Sequence, residues 1–197
     1  MRSLILIVLV SFVIPVLNNC SPKREVRRIG SDQEMDLSGR WNDTDSRLVA
    51  EALTEQVING KWLENYKGNH HGARPILIVG LVRNKSHEHI DAETFIKDIE
   101  KAIIRDGSAR LVQAGSERDD LRAERADQQD FASSKTAKEW GQELGADFML
   151  QGTINSIVDS YRNEKVVNYQ INFELSNLET NEIVWMGDKN IRKYINN

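Results

Sequence analysis

The chain of 197 residues holds one cysteine and three prolines, and only 7% of it is aromatic. A single cysteine cannot close an internal disulfide, which excludes a cysteine-stapled secreted scaffold and any cysteine-based zinc site. No G-x-S-x-G, phosphate-binding glycine-rich loop, H-E-x-x-H or Cys-x-x-Cys occurs, so the common motif-borne enzyme classes find no support. An excess of positive charge is missing too: 26 Lys and Arg stand against 30 Asp and Glu. From Asp36 onward the count is 21 basic to 27 acidic residues, which argues against a nucleic-acid binder. With 40% apolar and 28% charged residues, the composition is that of one globular domain, or one domain with a tail.

The longest apolar run extends from Leu4 to Leu17, broken only by Ser11 and Pro15. As a helix its fourteen residues cover about 21 Å, less than the roughly 30 Å hydrocarbon core of a bilayer. It reads as an export signal over residues 1–19, followed at once by the lone cysteine. Leu17-Asn18-Asn19-Cys20 resembles a lipoprotein box, departing from the common pattern at Asn19, and predicts lipid (palmitate among its chains) on Cys20. Ser21 after the cysteine favours an outer-membrane lipoprotein facing the periplasm. Residues 20–35 lack periodicity and read as a flexible tether whose Lys23, Arg24, Arg27 and Arg28 suit anionic headgroups as well as water.

Residues 36–197 are expected to form an α/β domain. Asn42 or Asp43 caps a helix with Leu48, Val49, Ala52, Leu53 and Val57 on its apolar face, ended by Asn59-Gly60. A loop with Lys61-Trp62 and His70-His71 follows. Ile76 to Val82 is a continuous apolar run, read as a strand buried on both faces at the centre of the sheet. Asp91 starts a helix carrying Phe95, Ile96, Ile99 and Ile103 and stopped by Gly107, after which Arg110 to Gln113 forms a short strand. A charged surface helix begins near Ser116, and a further helix carries Ala137, Trp140 and Leu144. Three strands close the chain: Phe148–Val158 with a bulge at Gly152, the strictly alternating Val167–Leu175, and Ile183–Met186. The sum is a mixed β-sheet with helices on one face, ending in an antiparallel meander.

Candidate chemistry is sparse. His70-His71 and His87-Glu88-His89 lie at opposite ends of a strand of roughly 30 Å, too far apart for one metal, so neither a metal nor a cofactor is expected. The acidic group Glu117, Asp119 and Asp120 suits a helix N-terminus.

A set of segments in order carries a family resemblance. Arg40-Trp41-Asn42-Asp43 at a helix entrance, Ile78-Val79-Gly80 with Val82-Arg83-Asn84-Lys85-Ser86, and Arg110-Leu111-Val112 come first. Gly145-Ala146-Asp147-Phe148-Met149-Leu150-Gln151-Gly152 and Glu182-Ile183-Val184-Trp185-Met186-Gly187 follow. Together they resemble the lipoprotein activators of penicillin-binding proteins, the B-type Lpo family. The resemblance implies a fold like the N-terminal domain of TolB, no catalytic residues, and docking on a class A penicillin-binding protein to stimulate peptidoglycan synthesis and so maintain cell shape. A structural or assembly lipoprotein of an envelope or secretion complex is the alternative on the same fold. Contact residues are sought at Arg40, Trp41, Asn42, Asp43 and Asp45 and in the loop of Arg83, Asn84 and Lys85. Better-known members carry a long proline-rich tether, whereas about 20 residues join Cys20 to Arg40 here. These reach at most about 70 Å, and about 25 Å as a coil, so a partner must come close to the membrane.

Overall fold

The computed structural model describes residues 25–30, 33–131 and 143–196. Residues Met1–Gln33 and Glu34–Asn197 form separate compact units. In the first, residues 25–30 are exposed and belong to no helix or strand. Cys20, the export segment and the helix expected around Ala137 and Trp140 lie outside the described residues, while Leu144 and Gly145 are non-helical.

The second unit has four described helices, α1 (Asp43–Ile58), α2 (Lys61–Asn69), α3 (Ala92–Asp106) and α4 (Gly115–Phe131). Its strands are β1 (Ile76–Asn84), β2 (Arg110–Leu111), β3 (Phe148–Tyr161), β4 (Glu164–Asn177) and β5 (Ile183–Asn196). They form one mixed sheet in the order β2-β1-β3-β4-β5: β1 runs parallel to β2 and β3, and β3-β4-β5 is an antiparallel meander. The expected architecture is present.

The core lies between α1, α3 and one sheet face. On β4 the alternating Val167, Tyr169, Ile171, Phe173 and Leu175 are all buried, because a period of two puts every second side chain under the helices. Phe95, Ile99 and Ile103 recur at helical spacing and bury the facing stripe of α3, with Phe95 packed edge-to-face on Phe173 at 5.7 Å. Gly107 caps α3 at φ 73°, a left-handed conformation that costs glycine little. α1 buries Val49, Leu53 and Val57, and with them Asp45 and Ser46, so its hidden face is partly polar.

Several expectations need correction. Lys61-Trp62 begins a helix rather than a loop. α2 has few apolar residues, and what holds it is tertiary: Trp62 and Tyr66 meet Phe148 at 5.2 and 5.5 Å, and the Trp62 indole N–H donates to the Val57 carbonyl at 2.7 Å. The centre of the sheet is β3, with β1 beside it. β1 is not covered on both faces either, since Leu81 is 72% exposed. The irregularity expected at Gly152 sits on β1 between Val79 and Val82, opposite β3. Gly152 is small for another reason: a Cβ there would lie 2.6 Å from the Phe173 ring. β2 ends at Leu111. β5 does not stop at Met186 but continues ten residues, to Asn196. Its inward positions include Lys189 and Lys193, opposite Ile171 and Val167 of β4, and so break the apolar alternation that marks a strand.

Candidate functional site

At one end of the sheet the structure brings together the two segments singled out from sequence. Asn42 caps α1 in a reciprocal box: its side chain accepts from the Asp45 N–H at 3.2 Å, and the Asp45 carboxylate accepts from the Asn42 N–H at 2.9 Å. The cap leaves Trp41 just ahead of the helix. Its indole N–H donates to Ser46 Oγ at 2.8 Å, its ring meets Tyr169 edge-to-face at 5.3 Å, and its backbone N–H donates to Glu88 Oε2 at 3.0 Å. That last bond joins the α1 entrance to the loop after β1.

The loop is internally fixed. Asn84 donates from its side chain to the Glu88 carbonyl at 2.7 Å, and Ser86 bonds Asn84 Oδ1 through both N–H and hydroxyl. The Lys85 N–H donates to the Ile154 carbonyl at 2.7 Å, and His87 reaches Ser156 Oγ, also at 2.7 Å. His87 also stacks over Tyr169, so Trp41 and His87 share one aromatic platform. Burial first, and then the neighbouring Glu88 carboxylate, hold the Tyr169 hydroxyl above its ordinary 10.0.

Beneath the α1 entrance is a buried cation. Lys193 Nζ, on β5, lies 2.6 Å from Asp36 Oδ1, 2.6 Å from Asp45 Oδ2 and 2.9 Å from the Arg40 carbonyl. Burial alone would lower the lysine pKa, but the two carboxylates outweigh it and raise it. The Lys193 bond in turn holds Asp36 below the usual carboxylate range. Asn42 adds a bond to Asp36 at 2.7 Å. The segment ahead of α1 is therefore fastened to the last strand.

Expected contact residues thus fall into two sets. Asp45 is buried and engaged with Lys193, and the half-buried Trp41 and Asn42 are committed to the frame. Arg40, Asp43, Arg83, Asn84 and Lys85 are exposed around it. Arg83 lines a shallow depression on the outer sheet face with Gln151, Glu174 and Met186, to one side of the others. Sequence reasoning missed Tyr169 and Lys193 as parts of this site, since nothing local to them signals a long-range partner. It also missed Asp147. That carboxylate accepts from the Ile76 N–H at 2.7 Å and the Tyr66 hydroxyl at 2.8 Å, and burial with this bond raises the tyrosine pKa to about 12. Among the described residues no group of three His, Cys, Asp or Glu side chains could hold a metal ion.

Comparison with known proteins adds a family. The family model described as "Peptidoglycan-synthase activator LpoB" matches residues 45–191. Among solved structures, the LpoB C-terminal domain from Salmonella enterica is 16% identical at a TM-score of 0.41, with 75% of this chain and 98% of that one covered. The same domain from Escherichia coli is 18% identical at a TM-score of 0.39, with the same coverage. Lipoprotein GNA1162 from Neisseria meningitidis is 13% identical at a TM-score of 0.39, over 61% of this chain and 83% of that one. No curated protein matches the chain.

Proposed function

The chain belongs to the LpoB family of peptidoglycan-synthase activators, and from that premise we propose that it is an envelope lipoprotein, anchored through lipid on Cys20, that binds a class A penicillin-binding protein and raises its activity without turning over substrate itself. The match over residues 45–191 carries this reading. Cys20 at the end of an export segment supplies the anchor, and the outer membrane facing the periplasm is the location that Ser21 favours.

A rigid frame suits a binding module. Trp41, Asn42, Asp45, Glu88, Tyr169 and Lys193 fix one another, so Arg40, Asp43, Asn84 and Lys85 stand at defined positions before a partner arrives, and little ordering cost falls on binding. Exposed charges of both signs suit the rim of an interface of about 800 Å² per partner.

The test is lipid II polymerisation by the cognate synthase with and without the protein, alongside a pull-down. A faster rate and a recovered complex are expected, with no polymer from the protein alone. Unchanged rates with every class A synthase of the organism, and no complex, would favour the assembly lipoprotein instead.

A further inference from the structure

We propose that the β3-β4 hairpin end of the domain rests on the lipid headgroups of the membrane that holds Cys20, so that the domain stands hairpin-down on the bilayer. The inference rests on the anchored-lipoprotein reading.

The first observation is where the domain begins. Asp36 is tied to Lys193, and Gly39 lies so close to Ile195 that a Cβ on it would be 2.4 Å from that side chain. The first residues of the domain are thereby held at the last rungs of β5. Those rungs pair with the hairpin, Ile195 opposite Lys165 and Asn196 opposite Glu164. Only sixteen residue steps separate Cys20 from Asp36. Even fully extended they span at most about 55 Å. A chain so short, entering at the hairpin end, keeps that end nearest the lipid.

The second observation is what the end displays. β1 pairs with β3 only as far as Asn84 opposite Ile154, so the hairpin projects beyond it. There Leu37, Ile157, Tyr161 and Tyr194 are 88%, 58%, 68% and 62% exposed. Arg162 lies over the Tyr161 ring at 5.2 Å. Tyrosine and arginine at an exposed tip are suited to a bilayer interface, where an amphipathic ring sits at headgroup level.

The acylated full-length protein should be reconstituted in phosphatidylethanolamine/phosphatidylglycerol vesicles. Because the thiol of Cys20 carries lipid, a cysteine introduced as Asn163→Cys at the hairpin, or as Thr180→Cys at the opposite turn, takes a fluorescent label alone. Quenching by headgroup spin-labelled lipid is expected to be several-fold stronger at 163 than at 180, and Leu37→Asp with Tyr161→Asp should bring position 163 down to the level of 180. Equal quenching at both positions in protein that floats with the vesicles would overturn the orientation. Failure to float would overturn the anchor, and the orientation with it. A label at 163 that lipid leaves bright but added synthase shields from an aqueous quencher would make the hairpin a protein contact and overturn the proposal.

Discussion

Lys193 is the residue whose surroundings most constrain its replacement. Its side chain is 7% exposed and that of Asp45 is 5%, so Lys193→Met would leave a buried carboxylate without its cation. Loss of one partner of a buried pair costs about 3–5 kcal/mol. Asp36→Asn should cost no more than about 1 kcal/mol, since Asp36 is mostly exposed. Urea denaturation of the variants checks both figures, and Lys193→Met with Asp45→Leu should recover part of the loss. Stability against pH gives the signs. Asp36 is held below its ordinary 3.8, so its contribution is present above that value and lost as pH falls through the folded value. Lys193 is raised above 10.5, so its contribution is complete below that value and disappears as pH climbs through the folded one. Lys193→Met should flatten both limbs. Equal pH profiles for the variant and the parent would show that the cluster contributes nothing to folding.

At the scale of elements, legibility followed periodicity. β4 and α3 could be read because their apolar residues recur at two and at three to four, and their burial is geometric. α2 and the outer half of β5 could not, because Trp62 needs Phe148 from a distant strand and Lys193 needs Asp36 and Asp45. The same limit applies to the site. Its two segments were visible as caps and turns, while the Trp41–Glu88 bond that joins them spans 47 positions. Gly152 shows a small residue with a meaning that sequence left open. A Cβ there would stand 2.6 Å from Phe173 and 2.8 Å from the Asn172 carbonyl, and the carbonyl belongs to backbone that cannot yield alone. Gly152→Ala should therefore destabilise by about 1–3 kcal/mol. Adding Phe173→Leu should relieve the ring contact but not the backbone one, so a double variant restored fully to the parent midpoint in urea would contradict this account.

For the whole molecule, the question is where the independently stable body begins. The core cluster draws on β1, β3, β4, α1, α2 and α3, and Trp41 and Ile195 pack against it. The compact unit starts at Glu34. Its first residues contribute through specific bonds: Asp36 and the Arg40 carbonyl hold Lys193, and Trp41 covers Tyr169. A protein starting at Glu34 should therefore melt at the temperature of the full chain, because the unit that holds the core begins there. A protein starting at Asn42 keeps α1 and its cap but loses Asp36, Arg40 and Trp41. It leaves Lys193 with Asp45 alone and opens Tyr169 to water, and burial of a large aromatic ring is worth about 3 kcal/mol or more. Its melting temperature should fall by about 6–12 °C, given a shift of roughly 2–4 °C per kcal/mol for a domain of this size. Thermal unfolding followed by circular dichroism compares the two. A loss already present in the protein starting at Glu34 would move the boundary toward the N-terminus, and an undiminished melting temperature in the one starting at Asn42 would mean that the fastening of residues 36–41 orients the tether without stabilising the fold.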